Sequence, residues 1–230
     1  MMDEKKNIGS LFDRIAGKYD RINHLLSLDI DKRWRRRAVR QLSKADRVLD
    51  VAVGTGDLAI ELVRSGKAQQ VQGIDLSAGM MAVAAKKVAA AGLSDRIKME
   101  QGSAFDMPYA DDSFDAVTCG FGVRNFSDLD KGLREMYRVL RPGGEALVIE
   151  FGYPEQPVMR WLYDFYFSRL MPLIGGLVSG DKAAYAYFRN SVKGFVRGEA
   201  FCDRLRQAGF RDVTFTAMTF GICMVYKATK

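Results

Sequence analysis

The stretch that most constrains this chain is Val48-Leu49-Asp50-Val51-Ala52-Val53-Gly54-Thr55-Gly56, a short apolar run closed by a glycine turn. Leu58 and Leu62 then recur at helical spacing through residue 65, so the segment predicts strand, tight turn and helix. A second unit follows at once. Val71-Gln72-Gly73-Ile74-Asp75 reads as a strand, and residues 78–91, rich in Ala and Lys, as a helix that Gly92 ends. Residues 97–101 and 114–120 are a third and a fourth strand. Leu129, Leu133, Met136, Tyr137 and Leu140 share one helical face, Pro142-Gly143-Gly144 stops that helix, and residues 146–151 make a fifth strand. Strands alternating with helices of this length predict an open α/β sheet, mostly parallel and covered on both faces. Residues 213–218 and 222–227, separated by a short turn, close it with an antiparallel pair.

In such a sheet ligands bind beyond the carboxyl ends of the strands, and the first strand-to-helix turn is the usual place. Gly54-Thr55-Gly56 is that turn, and Asp75 ends the second strand nineteen positions after Gly56, where a carboxylate can accept both hydroxyls of a ribose. Residues 54–59 also satisfy the dinucleotide fingerprint, which makes NAD a competitor. Asp50 before the turn and Asp57 after it would repel a pyrophosphate and suit a cationic, amine-bearing ligand. S-adenosylmethionine is such a ligand, with a sulfonium, an ammonium and no phosphate. Gly102-Ser103-Ala104-Phe105-Asp106 follows the third strand, where a small polar residue and a backbone amide can meet an adenine edge. Phe121-Gly122-Val123-Arg124-Asn125 follows the fourth and faces the same crevice. Its Arg-Asn pair either orients an oxygen-bearing substrate or serves as a capping and ion-pair device.

Composition narrows the class. With 230 residues, 48% hydrophobic and 27% charged, the chain can bury one core, and a single domain over 1–230 is expected. Cys119, Cys202 and Cys223 are widely spaced and form no CxxC pair, which argues against disulfides and structural zinc and for a reducing setting. No metal site is expected from the spacing of His, Cys and acids. Residues 1–10 lack a secretory h-region, and the apolar stretch 161–178 is broken by Asp164, Arg169 and Pro172, so a cytoplasmic protein without a membrane span is expected. The net charge of +7 leaves nucleic acid, an anionic membrane surface or an acidic ligand as partners. Nucleic acid is disfavoured: there is no [ND]PPY motif, and the basic run at residues 32–40 has no aromatic stacking platform beside it.

Several motifs together resemble the UbiE/MenG family of quinone-biosynthesis C-methyltransferases, which are class I S-adenosylmethionine-dependent enzymes. Phe12-Asp13-Arg14-Ile15-Ala16 with Tyr19, Asp20 and Asn23, then Trp34-Arg35, is similar to the family's N-terminal signature. The run from Leu49 through Leu58 resembles its cofactor motif, the run from Phe121 to Asn125 its internal motif, and Met136 to Gly144 with Glu150-Phe151 completes the match over nearly the whole chain. The resemblance implies a Rossmann-like fold of seven mostly parallel strands with a C-terminal antiparallel strand and helices on both faces. It implies S-adenosyl-L-methionine contacts at Thr55, Asp75, Ser103 and Ala104, a pocket shaped by Gly54, Gly56 and Asp57, and Tyr19 closing it from the N-terminal side. Ser103 stands where the family often has Asn. Gly120 stands where some members have Ser, so a cofactor contact there runs through the backbone.

The reaction implied is methyl transfer to a ring carbon of a prenylated demethylquinol, of the menaquinone or ubiquinone series. A ring carbon is nucleophilic only when an ortho hydroxyl pushes electron density into it, so positioning and deprotonation should combine. Arg124, always charged, is expected to stabilise the phenolate and Asn125 to hold the hydroxyl, with Asp106 or an ordered water taking the proton. His24, in a helical setting, reads as a structural or surface residue rather than a catalytic base. An N-terminal helical segment over 1–46 and a substrate-covering insert at about 155–197 are expected, the aromatics from Trp161 through Phe167, with Met171, Leu173 and Ile174, receiving the prenyl tail. Gly175, Gly176 and Gly180 are candidate hinges. Residues 32–40 are either a solvated face or a peripheral membrane contact with Trp34 at the interface. A homodimer is compatible with these features, and so is a monomer.

Overall fold

The computed structural model describes residues 12–14, 16–17, 19–20, 27, 29–170 and 182–230. Seven strands form one sheet among them: β1 (Ala45–Val51), β2 (Ala68–Asp75), β3 (Ile97–Gln101), β4 (Phe114–Gly120), β5 (Leu140–Phe151), β6 (Arg211–Met218) and β7 (Cys223–Thr229). Their order is β3-β2-β1-β4-β5-β7-β6. All neighbours from β3 to β5 are parallel, and β7 runs antiparallel to both β5 and β6. The described helices are α1 (Ile30–Val39), α2 (Asp57–Arg64), α3 (Ala78–Ala90), α4 (Leu129–Val139), α5 (Pro157–Phe165), α6 (Lys182–Gly194) and α7 (Glu199–Gln207).

The central strands are buried at consecutive rather than alternate residues, 48–51 in β1, 116–119 in β4 and 146–150 in β5, because helices cover both faces. One face packs Trp34, Leu58, Leu62, Val88 and Ile149 together, and the other Leu49, Met136, Phe201, Leu205 and Tyr226. Side-chain caps fix where two helices leave the sheet. Ser77 Oγ accepts from Met80 N–H (3.1 Å) at α3, and Asp128 accepts from Lys131 N–H (2.9 Å) at α4.

Three expectations are corrected. β5 begins at Leu140, not 146: Leu140 pairs with Phe114, the register then shifts, and Ala116 faces Glu145. Pro142-Gly143-Gly144 lies inside that shift, held by Gly143 N–H to Lys230 O (2.9 Å) and Lys230 N–H to Gly144 O (3.1 Å). The N-terminal segment expected over 1–46 gives way to β1 at Ala45. Trp34 is not at a surface but 5% exposed, its indole N–H donating to Thr219 Oγ1 (2.8 Å). The apolar positions 34, 38 and 39 turn α1 inward, leaving Arg33, Arg36, Arg37 and Arg40 in solvent. No described helix is long and apolar enough to cross a membrane. Ile15, Asn23, His24, Met171, Leu173, Ile174, Gly175, Gly176 and Gly180 lie outside the described residues.

The chain leaves β5 through Gly152, whose N–H donates to Ile222 O (2.9 Å). A Cβ there would sit 2.1 Å from the Gly221 carbonyl oxygen, a backbone atom that cannot swing away. Gly152→Ala is therefore expected to lower stability by about 3 kcal/mol or more, read as a lower denaturation midpoint; an unchanged midpoint contradicts the packing described.

Candidate active site

From β1 the chain passes outward to β2 and β3 on one side, and β4 and β5 fill the other side. A crevice opens at the carboxyl ends of the strands where this order reverses. Asp75, the last residue of β2, joins three of its loops. Its Oδ2 accepts from Gly54 N–H (2.8 Å), its Oδ1 from Ser77 N–H (2.8 Å) and its carbonyl oxygen from Gly102 N–H (2.9 Å). Gly54 (φ 55°) and Gly56 (φ 82°) take the left-handed backbone that the turn requires. A Cβ on Gly54 would meet only the Ala52 carbonyl oxygen, at 4.0 Å, so the ground above the turn is open.

Each Asp75 oxygen has two lone pairs; Gly54 and Ser77 N–H take one on each, and the Leu76 amide also bonds the carboxylate. The remaining capacity suits the two hydroxyls of a ribose, so the residues present fit an adenosyl cofactor. Burial pushes the Asp75 carboxyl above its ordinary value, against the pull of the Ser77 and Gly54 amides. Half-buried Ser103 and Ala104 follow in the β3 loop, with Ser103 Oγ accepting from Phe105 N–H (3.2 Å), and Gly120 ends β4. Asp106, in the same turn as Ser103, is exposed.

The two acids beside the glycine turn are not free, which corrects the electrostatic argument drawn from sequence. Asp50 is 1% exposed and accepts from Thr118 Oγ1 (2.7 Å). Asp57 is held by Lys87 (2.5 Å), with Arg35 at 3.6 Å. Lys87 also pairs with Asp20 (2.5 Å), which accepts from Thr55 Oγ1 (2.5 Å). Thr55, at 4% exposure, thus points its hydroxyl at the N-terminal segment. That segment is fixed again by Asp13, which accepts from Ser77 Oγ (2.5 Å) and Gly79 N–H (2.9 Å), and those bonds hold its carboxyl below the usual value. Tyr19, packed edge-on against Phe12, lies within electrostatic reach of Arg35 and Arg124.

At the ends of β4 and β5 the chemistry changes. Phe121 (φ 60°) and Ala52 (φ 55°) both carry a side chain on left-handed backbone, a strain concentrated at the rim of the crevice. Arg124 Nη1 donates to Phe121 O (2.5 Å) and to Glu150 Oε1 (2.8 Å), and Arg124 N–H donates to Glu150 Oε2 (3.2 Å). The two side chains are 4% and 1% exposed. Burial alone would lower the guanidinium's pKa, but the charge and hydrogen bond of Glu150, with Tyr19 and Tyr187, together outweigh it and raise the pKa. Asn125 Oδ1 accepts from Tyr187 Oη on α6 (3.0 Å). Glu150 and Tyr187 are the residues that site reasoning from sequence missed. An acid ending the apolar run of β5 was a usable signal, since a buried charge requires a partner. Nothing local marks Tyr187.

In the insert, Tyr163 is 5% exposed and faces Arg124 electrostatically, whereas Trp161, Leu162 and Phe165 point outward. Burial pushes the Cys119 and Cys223 thiols well above their ordinary value, so neither is a ready nucleophile. No group of three or more His, Cys, Asp or Glu among the described residues is placed to hold a metal.

Burial pushes the Asp50 carboxyl up to about 7 from an ordinary 3.8, with the Thr118 bond and the Arg35 charge opposing. The native state then keeps a proton that the unfolded chain releases, so this group's contribution to stability falls as pH rises from about 4 to about 7. Asp50→Asn cannot ionise. Its stability relative to the parent should improve between about pH 5 and about pH 8 in denaturation experiments, and a difference constant with pH contradicts the assignment.

Residues 1–230 match the family described as the ubiE/COQ5 methyltransferase family. The chain is 42% identical to the demethylmenaquinone methyltransferase of Bacteroides fragilis over 99% of its own length and 95% of that protein. It is also 42% identical to the ubiquinone/menaquinone biosynthesis C-methyltransferase UbiE of Geobacter sulfurreducens, over 100% of this chain and 91% of that protein. Among solved structures, the cyclase SpnF superposes with a TM-score of 0.74 at 20% identity, covering 98% of this chain and 96% of that one. The phosphoethanolamine N-methyltransferase 2 of Haemonchus contortus, solved with S-adenosyl-L-methionine, gives 0.60 at 18% identity over 82% of this chain and 49% of that one. The solved structures share the class I fold, and the match along all 230 residues decides the rest: this chain belongs to the ubiE/COQ5 methyltransferase family.

Proposed function

We propose that this chain transfers a methyl group from S-adenosylmethionine to a ring carbon of a prenylated demethylquinol, demethylmenaquinol foremost, in quinone biosynthesis. The family match over the whole chain carries the reading, supported by relatives named for demethylmenaquinone methylation. The donor supplies an electrophilic methyl group on its sulfonium. Asp75 holds the ribose hydroxyls, Thr55, Ser103 and Ala104 make the remaining contacts, and Gly54, Gly56, Asp57 and the backbone of Gly120 shape the pocket that Tyr19 closes.

At the other end of the crevice the acceptor's ring hydroxyl meets Arg124 and Asn125. Arg124 is not a base: paired with Glu150, it keeps its charge and stabilises the developing phenolate. Asn125, held by Tyr187, fixes the hydroxyl's direction, and Asp106 or an ordered water takes the proton. The Tyr187 bond also ties α6 to the reacting end, which supports the insert at about 155–197 as the cover that receives the acceptor's tail. With a lipid acceptor, the place of work is the cytoplasmic face of the membrane.

Incubation with labelled S-adenosylmethionine and, separately, demethylmenaquinol and a demethylated ubiquinol precursor tests this. Label is expected in the extracted menaquinol, and label in neither lipid ends the quinol reading. Asn125→Ala should lower kcat by about a hundredfold while changing S-adenosylhomocysteine affinity less than about twofold; the reverse split reassigns Asn125 to cofactor binding.

A further inference from the structure

The outer side of α5 carries Val158, Trp161, Leu162 and Phe165 at i, i+3, i+4 and i+7, and they are 72, 65, 45 and 47% exposed. The Trp161 and Phe165 rings stack at 5.8 Å. Seven large hydrophobic side chains are exposed among the described residues, and four of them fall in these eight positions. A stripe this concentrated is ordinarily covered by something. The opposite side of the same helix carries Tyr163, which faces the Arg124 end of the crevice, so α5 spans from the candidate site to the surface.

Charge selects the occupant. The insert, residues 155–197, holds six cations (Arg160, Arg169, Lys182, Arg189, Lys193, Arg197) against Glu155, Asp164 and Asp181, a local +3 within a net +7. Arg160, Lys193 and Arg197 converge on the Tyr153 ring at 5.7, 5.3 and 5.3 Å, and Arg169 and Arg189 are exposed. Of the three cations at Tyr153, Lys193 is paired, with Asp164 (2.7 Å). A second copy of the chain would bring the same net-positive insert against itself. An anionic bilayer answers both features: acyl chains take the stripe, headgroups take the cations, and a tryptophan settles at the boundary.

We propose that the outer face of α5, carried on this cationic insert, is a membrane-docking surface that seats the protein on an anionic bilayer. The surface replaces the Trp34 face of α1 in that role and deepens the methyl-transfer reading, because it sets the Arg124 end of the crevice against the phase that holds a prenylated acceptor. Only that purpose rests on the reading. The vesicles in the test carry no quinol, so the two fail separately.

The chain has two tryptophans, and Trp34 is buried, so an emission change on docking reports Trp161. Flotation with phosphatidylcholine vesicles, with and without phosphatidylglycerol, should show binding to the anionic vesicles, a blue shift, and release by salt. Trp161→Ser with Phe165→Ser should weaken binding by about tenfold or more, and Arg169→Gln with Arg189→Gln by severalfold. Both variants should retain S-adenosylhomocysteine affinity by calorimetry, which shows that they are folded. No flotation of the parent chain, equal flotation of the aromatic variant, or a halved solution mass in that variant, which assigns the stripe to self-association, overturns the proposal.

Discussion

The crevice depends on Asp75. A single residue at the end of β2 accepts hydrogen bonds from the loops after β1, β2 and β3, so the glycine turn, the start of α3 and the Ser103 loop share one anchor. The parallel sheet makes this possible by bringing the carboxyl ends of its strands to one edge. The left-handed glycines make it necessary, since a turn of that shape has N–H groups that need an acceptor on the sheet side. The Asp75 carboxylate keeps acceptor capacity beyond these bonds, and the same residue that holds the loops is therefore suited to hold a ribose.

A second carboxylate organises the other end. Glu150 is buried at the end of β5, where an unpaired charge would be strongly destabilising, and Arg124 from the β4 loop meets it with both backbone and side chain. The pair locks a guanidinium in its charged form beside Asn125, and Asn125 is itself bonded to Tyr187 on α6. Fold stability, the chemistry proposed for the site and the closure of the insert thus meet within a few residues. The seven-residue span from Arg124 back to Thr118 also links the two ends, because Thr118 is the partner of buried Asp50.

Much of this was legible in the sequence, and what was not has a common cause. β3 and β4 match the expected boundaries, and β1 and β2 differ by a few residues; for the central β1 and β4, burial on both faces leaves consecutive apolar residues in the sequence. Asp75 was readable because the turn-to-acid spacing is local. Long-range partners decided the rest. Pro142-Gly143-Gly144 looks like a helix stop until Lys230 holds it in the sheet, and Trp34 looks interfacial until Thr219, 185 positions on, accepts its indole. Asp57 looks free until Lys87 and Arg35 arrive from α3 and α1. The aromatic run of the insert divides between a buried Tyr163 and an exposed Trp161 and Phe165, a division set by which side of α5 packs against Tyr153.

The central claim is that the Arg124–Glu150 pair does two things, holding the β4 and β5 ends together and presenting a fixed positive charge to the acceptor. Arg124→Met combined with Glu150→Gln removes the charges without stranding either one. Single-turnover methyl transfer by this double variant, measured beside its S-adenosylhomocysteine affinity, separates the two roles. The account predicts a folded protein with cofactor affinity within about threefold of the parent and transfer slowed by about a hundredfold or more. Transfer near the parent rate would contradict it and leave the pair a purely structural device.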